Sequence, residues 1–447
     1  MATTISSAQR QLADGSANAL SLLTSCVERI SDPGGEGSRV FPHGVSMAAH
    51  KQAQSSDMLR EQGVIGPLSG IPISVKDLFD VQGDVTRAGA RVMPEQPAVQ
   101  DAPAIARLRA AGAVLVGRTN MTEFAYSGVG INPHYGTPRN PYDRQSGRIP
   151  GGSSSGAAVS VTDGMALAAI GSDTGGSCRI PAALCGIVGF KPTASRVPLD
   201  GIVPLSSSYD SVGCLANTVA CCAAVDAVLS GEAPPHGAAQ LAGLRLAIPT
   251  GIVMDGMSSE VAEVFSRTLR RLSASGAQLR DVTFDSWNSL TDLGANGGLV
   301  AAEAMAWHAE LIASQADRYD PRVLSRIRLA DEQGAPDYVR MLRRRAELCH
   351  RADAELAEVD AVVLPTVPIV APGIHELDND AAFFSTNRLL LRNPAIANML
   401  DLCALSVPCH ILGDAPVGLM LFGRHGSDRR LLAIGMAVEA ALRHERR

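Results

Sequence analysis

The chain has 447 residues, of which 46% are hydrophobic and 19% are charged, and its formal net charge is −6 at pH 7. This composition is typical of a globular protein with a large core and argues against a disordered chain. The negative charge argues against a general nucleic-acid binder, and no apolar run approaches the ~18 to 20 residues of a membrane span.

The first part of the chain predicts helices followed by alternating strands and helices. The apolar, β-branched run GIPISVKD predicts a buried strand that ends at Lys76. Asn120 and Glu123 resemble a capping box, which predicts that another helix begins there. The other elements predicted in this part are helices over 5–30, 45–62 and 103–112 and a strand over 113–117.

The second part repeats the alternation after a break at the Pro- and Gly-rich stretch 230–240. The basic run Arg340–Arg345 is interpreted as the solvated face of a helix. One further strand is predicted before this break, over 165–173. The elements predicted after it are strands over 243–249, 278–284, 360–369 and within 407–423, and helices over 259–275 and 428–442. Because strands recur at both ends of the chain, we expect one intertwined α/β domain over 1–447 rather than two separable ones.

The cysteines and the N-terminus predict a reducing compartment. The nine cysteines are an odd number, and the first residues have neither the basic start nor the apolar centre of a signal peptide. We therefore expect free thiols and a cytoplasmic protein. There is no C-x-x-C or H-E-x-x-H pattern, so the sequence predicts no metal and no cofactor.

The first serine-rich motif is GGSSSG at 151–156. One interpretation is a flexible loop, but the apolar segment AAVSV that follows indicates an ordered one. The motif also matches the nucleophile-elbow pattern G-x-S-x-G, which requires a strand directly before the serine. The polar, proline-ended residues before it do not form such a strand, so the elbow interpretation fails.

The second motif, DTGGS, ends at Ser177. Its two glycines allow consecutive N–H groups to turn towards one point, which suits an oxyanion in acyl transfer. An ordinary glycine turn explains the pattern equally well. A phosphate cradle is disfavoured, because no lysine follows the glycines as a P-loop requires.

Neither serine has a histidine nearby, since none occurs between His134 and His236. Lys76 offers another base. A lysine after a strand is usually a surface charge, but the run before Lys76 is apolar enough to bury it. Burial lowers the pKa of a lysine, and a neutral amine is a competent general base.

Several of these motifs occur together in the amidase signature family of Ser–Ser–Lys hydrolases, and the chain resembles that family over nearly its whole length. The resemblance is carried by GIPISVKD (70–77), GRTNMTEFA (117–125), NPHYGTPRNP (132–141), GGSSSGAAV (151–159) and GSDTGGSCRIPAALCGIVGFKPT (171–193). It implies one domain built on a large mixed, twisted β-sheet covered by helices on both faces. The implied parts are an N-terminal helical segment (1–65), a catalytic core (66–215), a variable helical pocket region (216–400) and C-terminal strands and helix (401–447).

The resemblance also implies roles for individual residues. Ser177 would be the acylated nucleophile, and Ser153 would bridge it to Lys76. The peptide bond that precedes Ser153 is cis in the family. The oxyanion hole would be formed by the backbone N–H groups of Thr174, Gly175, Gly176 and Ser177. Asp173 and Arg179 match family positions and would support the loop, although Arg179 could instead meet an acidic substrate.

The chain departs from the family at Ser155, where a glycine is common, and we expect no effect on the chemistry. Cys178 beside the nucleophile is interpreted as a small core residue rather than a reactive thiol. Residues expected near the substrate are Ala125, Tyr126, Ser154 and Cys178. Further candidates, each also explained by ordinary packing or solvation, are Trp287, Phe383, Phe384, Arg388 and Arg392.

The predicted function is hydrolysis of small amides, with carbamates (urethanes) and esters as further candidate substrates, by a monomer or homodimer. One alternative is a glutamine-dependent amidotransferase subunit that acts on tRNA-bound glutamate with a partner. The chain lacks the Asn-Leu-Ala-Arg-Tyr-Asp segment associated with that branch, which favours a stand-alone hydrolase. The other alternative, a non-catalytic binding protein on the same fold, is disfavoured because Lys76, Ser153 and Ser177 are all present.

Overall fold

A computed structural model describes residues 3–443. Residues 1–2 and 444–447, the two ends of the predicted domain, lie outside the described residues. One ten-stranded sheet runs through the described chain, and its strands are β1 (Pro72–Lys76), β2 (Val114–Thr119), β3 (Ala168–Ser172), β4 (Val188–Lys191), β5 (Val212–Ala216), β6 (Arg245–Pro249), β7 (Gln278–Val282), β8 (Ala361–Pro365), β9 (Cys403–Pro408) and β10 (Gly418–Gly423).

Helices pack around this sheet. They are α1 (Ile5–Asp14), α2 (Ala19–Ser31), α3 (Gly37–Val40), α4 (Ala49–Glu61), α5 (Pro103–Ala110), α6 (Ser155–Thr162), α7 (Arg179–Cys185), α8 (Val219–Ser230), α9 (Ser259–Ala274), α10 (Asp285–Asn288), α11 (Gly298–Gln315), α12 (Pro321–Ile327), α13 (Ala335–Glu355), α14 (Asp380–Arg392), α15 (Ala395–Met399) and α16 (Asp428–Leu442). Short 3₁₀ turns occur at Glu123–Ala125, Ala194–Arg196, Ile252–Met254, Leu290–Leu293, Ala295–Gly297, Ala316–Arg318, Arg328–Glu332, Leu356–Glu358 and Ile374–Leu377. Across residues 3–443, none of the helices combines the length and apolarity that a membrane crossing needs.

The strand order in the sheet is β2-β1-β3-β5-β4-β9-β10-β8-β6-β7. The outer strands on both sides run parallel to their neighbours, as β1 does with β2 and β3, and β6 with β7 and β8. The central pairs from β3 to β8 are antiparallel. This arrangement confirms the predicted α/β fold with a single large mixed sheet.

The sequence predicted β1, β2, β3, β6, β7, β8 and β10 at nearly their observed positions, whereas most of β9 (Cys403–Pro408) lies before the predicted stretch 407–423. It did not predict β4, β5 or helices α6, α7 and α8, which belong to small-residue segments with little periodicity. The predicted helix over 5–30 is divided into α1 and α2 at Gly15, which adopts a left-handed conformation with φ 75°.

The helix predicted at Asn120 is wrong. Only a 3₁₀ turn forms at Glu123–Ala125, and Phe124 in it has a positive φ of 49°. The two residues of the supposed capping box are used elsewhere. The Asn120 amide donates to the carbonyl oxygens of Arg39 and Gly136, and the Glu123 carboxylate accepts from the backbone N–H of Asp320. Tertiary contacts therefore override the local helix signal.

Helix α7 lies unusually close to the sheet because β4 contains Gly189. A Cβ atom built on Gly189 would lie 2.4 Å from the carbonyl oxygen of Cys178 and 2.7 Å from the Cβ of Ala182. Both distances are well below any van der Waals contact, and the nearer atom belongs to the backbone. Gly189 therefore sets the depth at which the segment after Ser177 rests on the sheet.

Replacing Gly189 by alanine is expected to destabilise the protein by about 1–3 kcal/mol, because the added methyl group overpacks the contact between α7 and β4. Gly34 is the matched control, since it is exposed and its Cβ would approach no described atom closer than 3.5 Å. Denaturant unfolding followed by circular dichroism measures both variants. Equal midpoints for Gly189→Ala and Gly34→Ala would contradict the role assigned to Gly189.

Candidate active site

Two parallel strands bring the first polar groups of the site together. Lys76 ends β1 and Ser172 ends β3, and the register pairs Val75 with Ile170. The carboxyl ends of neighbouring parallel strands meet at the same edge of a sheet. The Lys76 Nζ atom accordingly lies 2.9 Å from Ser172 Oγ and 2.7 Å from Ser153 Oγ, as donor to both.

Lys76 is fully buried, with 0% of its surface exposed. Burial, which disfavours the charged ammonium, lowers its pKa from the ordinary 10.5 to about 8. The negative charges of Asp173 and Asp210 act in the opposite direction without cancelling this effect. A substantial fraction of the amine is therefore neutral at slightly alkaline pH.

Ser153 lies in the loop that precedes α6, and its preceding peptide bond to Gly152 is cis. Its side chain is fully buried, and its carbonyl oxygen accepts from the N–H of Thr122. The next residue, Ser154, donates its N–H to the carbonyl oxygen of Ser177 at 3.3 Å. The two serine-rich motifs are thus in direct backbone contact.

A buried ion pair shapes the loop that carries Ser177. Asp173 and Arg179, both with 0% exposed side chains, form two hydrogen bonds of 2.8 and 3.1 Å. The Asp173 carboxylate also accepts the N–H groups of Gly176 and Cys178. Burial alone would raise the pKa of Asp173, but the charge and hydrogen bonds of Arg179, the charge of Lys191 and the N–H of Cys178 together outweigh it, so the pKa lies well below its usual range.

The N–H groups of this loop differ in their partners. Gly176 donates to Asp173 Oδ1 at 2.8 Å and is not available to an oxyanion, contrary to the expected set of four donors. Within residues 3–443, the N–H groups of Thr174, Gly175 and Ser177 donate to no acceptor. Unpaired N–H donors grouped in one short loop are suited to stabilising an oxyanion.

Asp210 holds the start of this loop from a distant segment. Its carboxylate accepts from the hydroxyl of Thr174 and from the N–H groups of Leu205 and Ser206. Burial raises the pKa of Asp210 to about 6, against the lowering effect of these hydrogen bonds. Sequence reasoning missed this residue, because it lies 36 positions after Thr174 in a segment without a motif.

A cavity of about 210 Å³ opens directly above the loop, and Ser177, Thr174 and Gly175 form one wall. Ala125 and Tyr126, expected near the substrate, also line it. The remaining lining residues are Ser127, Leu205, Tyr209, Gly297, Val300, Arg326, Leu329, Leu391, Ala395 and Met399. The Ser177 hydroxyl faces a mainly apolar chamber, here called the inner chamber, and forms no hydrogen bond with any described residue.

Ser154 and Cys178 do not line this chamber. Both are fully buried, and the Cys178 thiol lies 3.5 Å from the carbonyl oxygen of Ser172. Burial raises the pKa of the Cys178 thiol well above its ordinary value, so the thiolate needed for nucleophilic attack does not form. All nine cysteines have free thiols.

A second cavity of about 750 Å³, here called the outer chamber, adjoins the first and shares six lining residues with it, which include Arg326 and Met399. Trp287, Phe384, Arg388 and Arg392 all line the outer chamber. Phe383 does not, because its side chain points into a buried apolar cluster and is only 4% exposed. Among the described residues, no group of three His, Cys, Asp or Glu side chains is placed to hold a metal ion.

Two supporting residues were missed by sequence reasoning besides Asp210. Ser172 contacts Lys76, and the parallel pairing of β1 with β3 could have indicated it. Asn398 donates to the carbonyl and carboxylate oxygens of Asp173 and accepts from Arg179. No local pattern marks Asn398, which is more than two hundred residues away along the chain.

Comparison with known proteins identifies the family of the chain. The family described as Amidase matches residues 41–432. The 2-amino-5-chloromuconic acid deaminase of Comamonas testosteroni is 38% identical over 404 residues, which cover 88% of this chain and 86% of that protein. A glutamyl-tRNA(Gln) amidotransferase subunit from Chloroflexus aurantiacus is 34% identical, covering 98% of this chain and 96% of that protein.

Among solved structures, one described as the crystal structure of an amidase superposes with a TM-score of 0.88 at 34% identity. The similarity covers 98% of this chain and 100% of that one. The length of the match agrees with the resemblance noted in the sequence. The chain therefore belongs to the amidase family and is a hydrolase of carbon–nitrogen bonds other than peptide bonds.

Proposed function

We propose that this amidase hydrolyses small linear amides through an acyl-enzyme on Ser177, with Ser153 and Lys76 as the proton relay. The observation that carries the proposal is the 2.7 Å contact between the buried Lys76 amine and Ser153, beside a loop with three unpaired N–H groups. No histidine is needed in this arrangement, because a desolvated lysine supplies the base.

The relay begins with the neutral Lys76 amine. Its N–H groups donate to Ser172, which leaves the nitrogen lone pair for the hydroxyl proton of Ser153. As Ser153 gives up this proton, it takes the proton of Ser177. No hydrogen bond joins the Ser153 and Ser177 hydroxyls in the described chain, and such catalytic contacts commonly tighten only when substrate binds.

Ser177 Oγ then forms a bond to the substrate carbonyl carbon, and the carbonyl electrons move onto oxygen. The N–H groups of Thr174, Gly175 and Ser177 stabilise this oxyanion. When the carbon–nitrogen bond breaks, Ser153 donates its proton to the leaving nitrogen and recovers one from the Lys76 ammonium. Water attacks the acyl-enzyme by the same route in reverse and releases the acid.

The inner chamber limits the substrate class. A volume of about 210 Å³ with mainly apolar walls suits a small aryl or alkyl amide. Carbamates and esters pass through the same tetrahedral intermediate and are further candidate substrates. The related deaminase from Comamonas testosteroni is named for an unsaturated amino acid, which is also a small molecule.

A second candidate is the glutaminase component of an amidotransferase, because a relative with an amidotransferase name is 34% identical over almost the full chain. Hydrolysis of a small-amide panel by the purified single chain separates the two proposals. Turnover of aryl or alkyl amides without any partner favours the stand-alone amidase. Turnover restricted to glutamine and dependent on an added partner protein favours the amidotransferase.

Replacing Ser177 by alanine is expected to lower kcat/KM for amides by roughly 10⁴-fold or more, because the acyl-enzyme can no longer form. Amine release from a panel of amides, carbamates and esters measures it. Cys178→Ala is the matched control and should retain turnover, since this thiol is protonated and lies outside the inner chamber. Loss of activity in Cys178→Ala with activity retained in Ser177→Ala would reverse the assignment.

The pH profile of kcat/KM is expected to rise with pH and to level off above about 8, where Lys76 is neutral. Protonation removes the base, so the rate falls as the pH decreases through this value. In Lys76→Arg the rise of the rate with pH should disappear and the rate should fall roughly 10²–10⁴-fold, because a guanidinium stays charged.

Lys191 is the matched control for the pH profile, because it is a second buried lysine whose pKa burial lowers. Its amine donates to the carbonyl oxygens of Pro192 and Leu402, away from both serine motifs. Lys191→Met should keep the rise of kcat/KM that levels off above about pH 8. If the pH dependence changes in Lys191→Met but not in Lys76→Arg, the role of Lys76 is contradicted.

A further inference from the structure

The outer chamber has an unbalanced charge. Its 21 lining residues include three arginines, Arg326, Arg388 and Arg392, and no aspartate or glutamate. A cleft lined by one sign of charge between low-dielectric walls focuses its field and concentrates ligands of the opposite sign. The outer chamber therefore has the electrostatic character of an anion site, although the protein as a whole is negatively charged.

The three arginines are not neutralised by the protein. Among residues 3–443, none of them forms an ion pair with a carboxylate, and Arg388 forms no hydrogen bond with a described group. Arg392 donates to the side-chain oxygen of Asn393 and the carbonyl oxygen of Val253. Arg326 donates to the carbonyl oxygen of Tyr126 and lies over its ring at 4.1 Å.

Electrostatic compensation near these arginines is weak. Burial lowers the pKa of Arg392, and the exposed carboxylate of Asp255 only partly opposes this effect. Burial likewise lowers the pKa of Arg326. A partly buried guanidinium without a counter-charge is unfavourable, and a bound carboxylate would compensate it through charge-assisted hydrogen bonds.

Apart from the arginines, the outer chamber is lined by neutral residues, several of them polar, and it includes an aromatic wall. Phe284 and Trp287 stack with ring centroids 4.6 Å apart, and Phe384 lines another part of the wall. The indole N–H of Trp287 is buried and has no partner among the described residues. A ligand that fits these walls has a flat apolar body, which stacks on aromatic rings, together with an acceptor for the indole N–H.

We propose that the outer chamber selects amides whose distal part is an aryl group carrying a carboxylate, with Arg388 and Arg392 as the residues that recognise the negative charge. This inference rests on the proposed function, because the outer chamber adjoins the inner chamber that Ser177 lines. The amide group occupies the inner chamber, the aryl body lies along the aromatic wall, and the carboxylate meets the two arginines.

The first test compares isosteric substrates that differ in charge. The pairs are 4-carbamoylbenzoate with 4-nitrobenzamide, and 4′-carbamoylbiphenyl-4-carboxylate with its 4-nitro counterpart. The ratio of kcat/KM for acid over nitro compound should fall roughly ten-fold in the Arg388→Gln, Arg392→Gln double variant, as expected for a lost charge-assisted contact. Comparing ratios between enzymes cancels the intrinsic reactivity of the substrates.

The control variant is Arg351→Gln, an exposed arginine on α13 that lines neither chamber. It should leave the ratio unchanged. The conservative variant Arg388→Lys, Arg392→Lys should keep most of the preference for the acid, because the charge remains. A ratio that is equal in the wild type and the Arg→Gln double variant for both substrate pairs overturns the proposal.

A binding measurement separates this inference from the proposed function. Calorimetry with Ser177→Ala gives the Kd of each acid and each nitro compound without turnover. The anion site is supported if the acids bind more tightly than the nitro compounds and if salt weakens this preference. The preference should be lost when Arg388→Gln and Arg392→Gln are added. This result supports the anion site even if the wild type hydrolyses neither substrate. Equal Kd values for acid and nitro compounds contradict the anion site, whatever the enzyme's activity on other amides.

Discussion

The buried ion pair between Asp173 and Arg179 is the constraint on which the rest of the site depends. Neither side chain is exposed, and together they bind both ends of the loop that carries Ser177. Removing one partner of such a pair typically costs about 3–5 kcal/mol, because the other charge is left uncompensated. Asp173 also accepts the N–H of Gly176, and this hydrogen bond holds the loop in the conformation that leaves the neighbouring N–H groups unpaired.

The same pair ties the loop to a remote part of the chain. Arg179 donates to the carbonyl oxygen of Pro394 and to the side chain of Asn398, which in turn donates to Asp173. Residues 394–399 also form part of the walls of both chambers, through Ala395 and Met399. The pocket wall and the loop that carries Ser177 are therefore positioned by one connected set of hydrogen bonds.

The sequence predicted the parts of this site that are encoded in contiguous motifs. The apolar run before Lys76 indicated a buried base, whereas the glycine pattern at Ser177 fitted an ordinary turn equally well and only the family resemblance gave Ser177 a role. Asp210 and Asn398 were not predictable, because their partners are brought close only by the packing of distant segments. The incorrect prediction of a helix at Asn120 has the same origin, because the Asn120 amide donates hydrogen bonds to the carbonyl oxygens of Arg39 and Gly136.

The order of the sheet has a consequence for how the chain folds as it is synthesised. Among the described strands, β9 and β10 alone lie between β4 and β8, so they link the sheet's two halves, β2-β1-β3-β5-β4 and β8-β6-β7. Until residues 403–423 have been made, β4 and β8 are open edges, which are templates for pairing with other chains. The two half-sheets therefore cannot join before the last hairpin is made, and pairing of that hairpin with β4 and β8 covers both of these edges.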